Sequence, residues 1–339
     1  MTLQKSHVNS LIIFILMGIC LAGFALRVYQ LDSREIWGDE AFSIVTGALP
    51  LSDIIAPMVD MHPPLYYALN GGWMYSAGTS VFAMRYGTLL MNLLILPVAY
   101  GLARDFFGWR AGVLLALLCA MSPVYIYYAQ ELRMYSLLVL STAISMWFFL
   151  RYSRRPSRLN AGVYLLATLI AMYTHYNAFL VIAAQNLIVL ITVSWHGKRL
   201  RWFVGQGILA LIYLPWAITN AEFMLTRFAS GGDTGEGLSL ASIGETAAQN
   251  LSSWLTGITA GDATLVFIVS VTGLILVLIA LLRHPRQQRD VMLSLFMWGA
   301  FVLFAMSIMN STAGYFHPRF AIAGVLPFLL LITYGAMLL

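Results

Sequence analysis

A chain of 339 residues with 60% hydrophobic and only 10% charged side chains carries more apolar surface than a water-soluble core can hide, so lipid must be much of its solvent. Its net charge of +5 does not indicate nucleic-acid binding. The basic residues fall in short clusters (Arg104 and Arg110; Arg151, Arg154, Arg155 and Arg158; Lys198, Arg199 and Arg201; Arg283, Arg286 and Arg289), the pattern of loops held on the cytoplasmic side of a membrane.

Apolar runs of roughly 16 to 22 residues recur along the chain, and in hydrocarbon only helices or closed barrels satisfy their own backbone. Unbroken runs, as opposed to alternation, predict helices. About ten spans are expected, near 11–27, 83–103, 111–128, 134–150, 160–174, 177–194, 203–219, 263–282, 290–309 and 320–339, with the amino terminus inside. The first run has the length of a signal peptide, but Arg27, Val28, Tyr29 and Gln30 follow it with no small-residue cleavage site, so it reads as a retained span. Cys20 and Cys119 lie within spans and have no CxxC or Cys/His spacing, which predicts buried structural thiols.

Two outer segments, about 29–82 and 220–262, are too long for simple hairpins. In the first, Pro64 precedes Leu65, Tyr66, Tyr67, Leu69, Trp73 and Met74, an apolar stripe that predicts a helix lying along the membrane surface. The second holds a Gly, Ser and Thr-rich stretch from Ser230 to Gly237, read either as a mobile lid or as a plain linker. The whole of 1–339 is read as a single transmembrane domain. It stops at Leu339 inside an apolar run, and a further carboxy-terminal part is expected.

Polar chemistry gathers on the outer side. Trp37, Gly38, Asp39 and Glu40 follow the first span; two carboxylates beside an aromatic suit a group that orients or deprotonates a hydroxyl, although a solvated acidic loop would read the same. On an extended segment Asp39 and Glu40 would point apart and have different tasks. His62, held extended by Pro63 at the entrance of the surface helix, suits donation to a phosphate or sugar hydroxyl. Gln130, Glu131, Leu132, Arg133, Met134 and Tyr135 occupy a short outer turn. There Arg133 can hold a phosphate with Glu131 orienting it, or the two can form an interfacial ion pair. His175 with Tyr176 and Asn177, and Tyr315 with His317 and Arg319, sit at span ends on the same face and serve either as anchors or as further lining of one pocket.

The order Trp37-Gly38-Asp39-Glu40-Ala41, His62-Pro63-Pro64-Leu65-Tyr66-Tyr67, Arg85, Ser122-Pro123, Gln130-Glu131-Leu132-Arg133-Met134-Tyr135 and Thr174-His175-Tyr176 resembles glycosyltransferase family 39. That family includes protein O-mannosyltransferases and lipid A aminoarabinose transferases. The resemblance runs from Gln30 to about Gln185. It implies an all-α polytopic protein with a GT-C-type bundle and interfacial helices in the first outer loop, and a sugar donor carried on polyprenyl or dolichyl phosphate. It also implies a lipid, glycan or protein acceptor and reaction outside the cytoplasm, in a bacterial or archaeal plasma membrane. In keeping with this, no P-loop or GxGxxG pattern is present.

By the same resemblance Asp39 activates or orients the acceptor with Glu40 in support. Arg133 neutralises the departing phosphate, and His62, Glu131, Tyr135, His175 and Arg319 share the pocket; displacement with inversion is the expected course. Tyr66 stands where the mannosyltransferase pattern has Gly-Lys, which weakens the case for a protein acceptor. Asp39, Glu40 and His62 admit a divalent ion but lack fixed ligand spacing, so no metal or other cofactor is assigned. A transporter or flippase for a lipid-linked saccharide is the alternative, but it would place ionisable groups at mid-span. A catalytically silent scaffold would leave the one-sided polar clustering a coincidence.

Overall fold

The computed structural model describes residues 2–56, 62–222, 239–257, 262–313 and 317–339, and among them there is no strand. The helices are α1 (Thr2–Val28), α2 (Gly38–Gly47), α3 (Leu51–Ile54), α4 (Leu65–Ala77), α5 (Val81–Leu93), α6 (Ile95–Phe107), α7 (Trp109–Met121) and α8 (Pro123–Ala129), followed by α9 (Tyr135–Arg154), α10 (Arg158–Met172), α11 (Ala178–Ile191), α12 (Arg199–Thr219), α13 (Leu240–Thr256), α14 (Ala263–Arg283), α15 (Arg289–Ala313) and α16 (Val325–Met337). Short 3-10 turns occupy Val193–Trp195, Arg286–Gln288 and Pro318–Gly324.

Each of the ten expected spans is helical. Among the described residues, seven helical segments are able by length and composition to cross a membrane, or eight if α7 and α8, bent by 57° to each other, make one span. The bend follows from the sequence: Pro123 disfavours helical geometry at Ser122, which is extended (φ −60°, ψ 117°) and accepts from the Tyr125 amide. α10 and α11, with 15 and 14 residues, rise only about 22 Å and fall short of a hydrocarbon core of roughly 30 Å. Between α5 and α6 the helix breaks near Leu94, where Pro97 withholds the amide that the carbonyl of Leu93 would need.

α9 and α16 are the buried posts of the bundle, whereas α1, α12 and α14 leave most of their apolar surface uncovered. Surface of that extent requires lipid. Nearly all buried apolar side chains join one contiguous cluster. Arg27, wholly buried at the end of α1, donates to the carbonyls of Ala120 (2.9 Å) and Cys119 (3.0 Å) and to Asn92 Oδ1 (2.9 Å). It thereby supplies donors for the last carbonyls of α7, which have none within their own helix. Cys20 and Cys119 are free thiols, the latter buried.

The first outer segment folds as the resemblance implied, into α2, α3 and α4, with α4 beginning directly after Pro64. α2 and α4 approach so closely that a Cβ on Gly71 would lie 2.2 Å from the Gly47 carbonyl oxygen. Replacing Gly71 with Ala is therefore expected to push α2 away and to lower thermal stability in detergent by about 1–3 kcal/mol; an unchanged melting temperature would show that the packing yields. The second outer segment contains α13, which spans Leu240–Thr256 and buries Trp254 against Phe328. Ser230 to Gly237 and Tyr315 lie outside the described residues.

Candidate active site

The site is assembled where the α1–α2 connection, the α8–α9 turn, the start of α11 and the turn before α16 meet. Glu40 is the structural centre. Its side chain is 2% exposed, and both oxygens receive the Arg85 guanidinium, Nε to Oε1 at 2.9 Å and Nη2 to Oε2 at 2.7 Å. Oε1 also accepts from the Leu132 amide at 2.8 Å. Arg85 in turn donates to the carbonyls of Leu31 (3.0 Å), Arg34 (2.9 Å) and Glu35 (3.2 Å). A buried ion pair is tolerable only when such additional bonds satisfy it. Glu40 is thus fully engaged within the fold. Asp39 and Glu40 point apart, but because they occupy the first turn of α2, where adjacent side chains diverge around the helix, and not because the segment is extended.

Asp39 is half-exposed. Its Oδ2 takes a hydrogen bond from Arg319 Nη1 at 3.0 Å and lies 4.0 Å from Arg133 Nε. Arg133 Nη1 donates to the Asp39 carbonyl (3.1 Å), Ser43 Oγ (3.1 Å) and Tyr67 Oη (3.4 Å), so Arg133 turns to α2 and not to Glu131. The Arg319 guanidinium lies over the rings of Trp37 (5.3 Å), Tyr135 (5.9 Å) and Phe320 (5.3 Å), an arrangement that holds a cation in place.

Four of the five residues of the α8–α9 turn divide the work. Gln130 donates to the carbonyls of Arg27 (3.0 Å) and Tyr29 (2.8 Å) and accepts from Arg34 (3.1 Å), tying down the exit of α1. Leu132 offers its amide to Glu40 and Arg133 reaches Asp39, while Glu131 lines a cavity of about 370 Å³ with Arg34, Glu35, Trp37, Glu40 and His317. Asp39 and Arg133 are not among the cavity's lining; the cavity adjoins their cluster through Trp37, Glu131 and His317.

Glu131 Oε1 is buried with no hydrogen-bond partner among the described residues. Burial pushes its carboxyl up to about 7, against the opposing pull of Arg319 and Arg133 and with the repulsion of Glu40 and Asp39. The folded protein thus holds this proton more tightly than an exposed carboxyl does. Raising pH from about 4.5 to 7 removes stability and turns on a negative charge beside Arg319.

His175 and His62 have ring centroids 4.9 Å apart, and Tyr135 lies 5.9 Å from His175. His175 Nδ1 accepts from the Asn177 amide at 3.0 Å, so the proton sits on Nε2, which is buried without a partner among the described residues. Burial, reinforced by His62, Arg133 and Arg319, pulls its pKa well below the ordinary value, and the ring is a neutral donor. His317, lowered to about 4 by burial first and Arg319 second, is neutral too.

Among the described residues no group of three or more His, Cys, Asp and Glu converges as a metal-binding set. Glu40 is engaged by Arg85 and Leu132, and Asp39 faces the Arg319 and Arg133 guanidiniums.

The sequence profile of the family described as dolichyl-phosphate-mannose-protein mannosyltransferase matches residues 61–218. No curated protein matches the sequence significantly. Among solved structures, ArnT from Cupriavidus metallidurans bound to undecaprenyl phosphate is similar with a TM-score of 0.70 and 16% identity, over 97% of this chain and 60% of that one. An oligosaccharyltransferase from Archaeoglobus fulgidus tethered to an acceptor peptide gives 0.63 and 12%, over 96% and 49%. The archaeal oligosaccharyltransferase AglB from Archaeoglobus fulgidus, in complex with an inhibitory peptide and a dolichol-phosphate, gives 0.59 and 14%, over 94% and 50%. The chain thus spans between about half and three fifths of the length of these structures. It has the GT-C fold of membrane glycosyltransferases, and its residues 61–218 carry the sequence pattern of the dolichyl-phosphate-mannose-protein mannosyltransferase family, in agreement with the resemblance to glycosyltransferase family 39.

Proposed function

We propose that the chain moves a sugar from a polyprenyl- or dolichyl-phosphate donor to an acceptor hydroxyl or phosphate at the extracytoplasmic face of its membrane. The observation that carries this reading is the Asp39 carboxylate held by Arg319 and near Arg133 beside a cavity of about 370 Å³. A donor phosphate supplies the same charge and geometry as that carboxylate, so its arrival takes over the two guanidiniums and releases Asp39 toward the acceptor. The acceptor oxygen attacks the anomeric carbon from the face opposite the phosphate. The bond to the phosphate oxygen breaks with its electron pair, the configuration inverts, and a hydroxyl acceptor gives its proton to Asp39. Arg133, Arg319 and the Nε2–H of His175 meet the charge that develops on the leaving phosphate, and Glu40 with Arg85 holds the α1–α2 connection beneath them.

Lipid phosphates bound by similar folds support the donor class. The single contiguous core supports reading the chain as one unit. A flippase would need ionisable groups along the path through the bilayer, whereas the Asp, Glu, Lys and Arg of the described helices stand at or near their ends.

In lipid nanodiscs, the purified protein is expected to release polyprenyl phosphate from a polyprenyl-phosphate sugar when acceptor is supplied. Movement of intact donor between leaflets without release would replace the transferase reading by the flippase one. Arg133→Ala is expected to weaken donor binding by at least about tenfold, the loss of one charged hydrogen-bonding partner; equal affinity would remove Arg133 from the donor site. Because ionised Glu131 competes for Arg319, donor affinity is expected to fall as pH rises from 6 to 8, and Glu131→Gln to flatten that profile. A wild-type slope retained in Glu131→Gln would assign the titration to another group.

A further inference from the structure

The end of the bundle opposite the candidate active site carries two adjoining polar clefts that the transfer reaction does not use. One, of about 330 Å³, is lined by Arg154, Lys198, Arg286, Arg289 and Asp290 among others; the second, of about 130 Å³, is lined by Asp105, Arg151, Arg154 and Arg155, so that Arg154 stands between them. α9 begins at the active site and ends at Arg154, which separates the two regions by about 30 Å along its axis.

The acids of these clefts are already engaged. Asp105 pairs with Arg151 (3.2 Å) and Arg104 (3.5 Å) and accepts from Trp147 (2.9 Å), while Asp290 accepts from the Ser194 amide (2.9 Å). Lys198 is directed inward, donating to the carbonyls of Ser153 and Ser194. Arg154 is held over the Phe106 ring at 4.7 Å, and its guanidinium, with those of Arg155, Arg286 and Arg289, makes no ion pair among the described residues; all four are exposed. Hence positive charge exceeds negative, and the excess is presented to the solvent side of the clefts. These residues flank span ends: Arg154 closes α9, and Arg286 and Arg289 open the span that follows α14. Leu282 and Leu200, exposed nearby in sequence, add apolar surface at the same boundary.

We propose that these clefts bind the phosphodiester headgroup of an anionic phospholipid. A lipid phosphate resides at the depth of the span ends, its two unesterified oxygens match a guanidinium fork, and its chains lie along the neighbouring apolar surface. A soluble phosphate has the second of these properties but neither the first nor the third.

Native mass spectrometry of the detergent-purified full chain, titrated with phosphatidylglycerol or phosphatidylcholine, tests this. Wild type is expected to retain phosphatidylglycerol at least about tenfold better, and the triple variant Arg154→Gln/Arg286→Gln/Arg289→Gln to lose that preference, at about fivefold per arginine. Arg110→Gln, on the same face but outside both clefts, is expected to keep it. Equal retention of the two lipids, retention unchanged in the triple variant, or an equal loss in Arg110→Gln would overturn the assignment. So would displacement of the lipid by millimolar inorganic phosphate or glycerophosphoglycerol, which would mean an anion site indifferent to the chains. Circular dichroism and melting of each variant exclude loss of fold as the cause.

Discussion

Asp39→Asn is expected to lower sugar transfer by at least about 100-fold while the protein still inserts, purifies and melts like wild type. The magnitude is that of removing a positioned acid–base group. The expectation of intact folding comes from the surroundings: Asp39 is itself 35% exposed at its side chain, and the buried Arg319 and Arg133, although they lose a counter-charge, keep the rings around the one and the hydrogen bonds of the other to the residue-39 carbonyl and Ser43. Asn has nearly the same shape and still accepts from Arg319 through its amide oxygen. The measurement is release of polyprenyl phosphate from a labelled donor in nanodiscs, beside a donor-binding titration. Turnover at the wild-type level would remove Asp39 from the chemistry. A loss confined to binding would make it a donor-positioning residue, because the acceptor-side role predicts that the fall is in kcat.

Arg85→Ala is expected to have the largest effect on stability, about 3–5 kcal/mol, the range for breaking a buried pair by removing one partner. Three features set this apart from an ordinary surface salt bridge. Both partners are at most 3% exposed, the contact is two-pronged, and Arg85 also holds three carbonyls of the α1–α2 connection. Without the guanidinium, Glu40 remains in the core facing only the Leu132 amide. Arg85→Lys restores the charge but not the fork and is expected to fall between. Replacing both partners, Glu40→Gln with Arg85→Met, is expected to recover part of the loss, because no lone charge remains. Melting temperatures in detergent decide the matter; a single variant as stable as wild type would mean that water reaches Glu40.

The resemblance drawn from the motifs named most of the residues that meet at the site, yet their partnerships differ from those the sequence suggests. Glu131 and Arg133, two apart in one turn, read as a pair. In the folded chain Arg133 turns to α2, and Glu131 is left with a buried, unpartnered oxygen that holds its proton to about pH 7. Asp39 and Glu40 read as two carboxylates of one centre, but only Asp39 faces outward. Arg85 was visible as a motif residue without a role. Gln130 and Tyr67 stood in motifs without a role of their own, and Ser43 carried no local signal at all, since a polar side chain that braces a neighbouring loop looks in sequence like any other.

What the amino-acid order determines by itself is the helical content, the approximate ends of the spans and the placing of charged groups at or near those ends. Each of these is enforced locally, by the need of a backbone in hydrocarbon to bond to itself and by the cost of a charge within it. Pro64, Pro97 and Pro123 likewise act on their own neighbours. The partner of Asp39, by contrast, lies 280 residues away at Arg319, and that of Glu40 lies 45 away at Arg85. Tertiary structure alone decides such pairs, because a helix end carries its charge without any mark of which other end the packing of the bundle will bring against it.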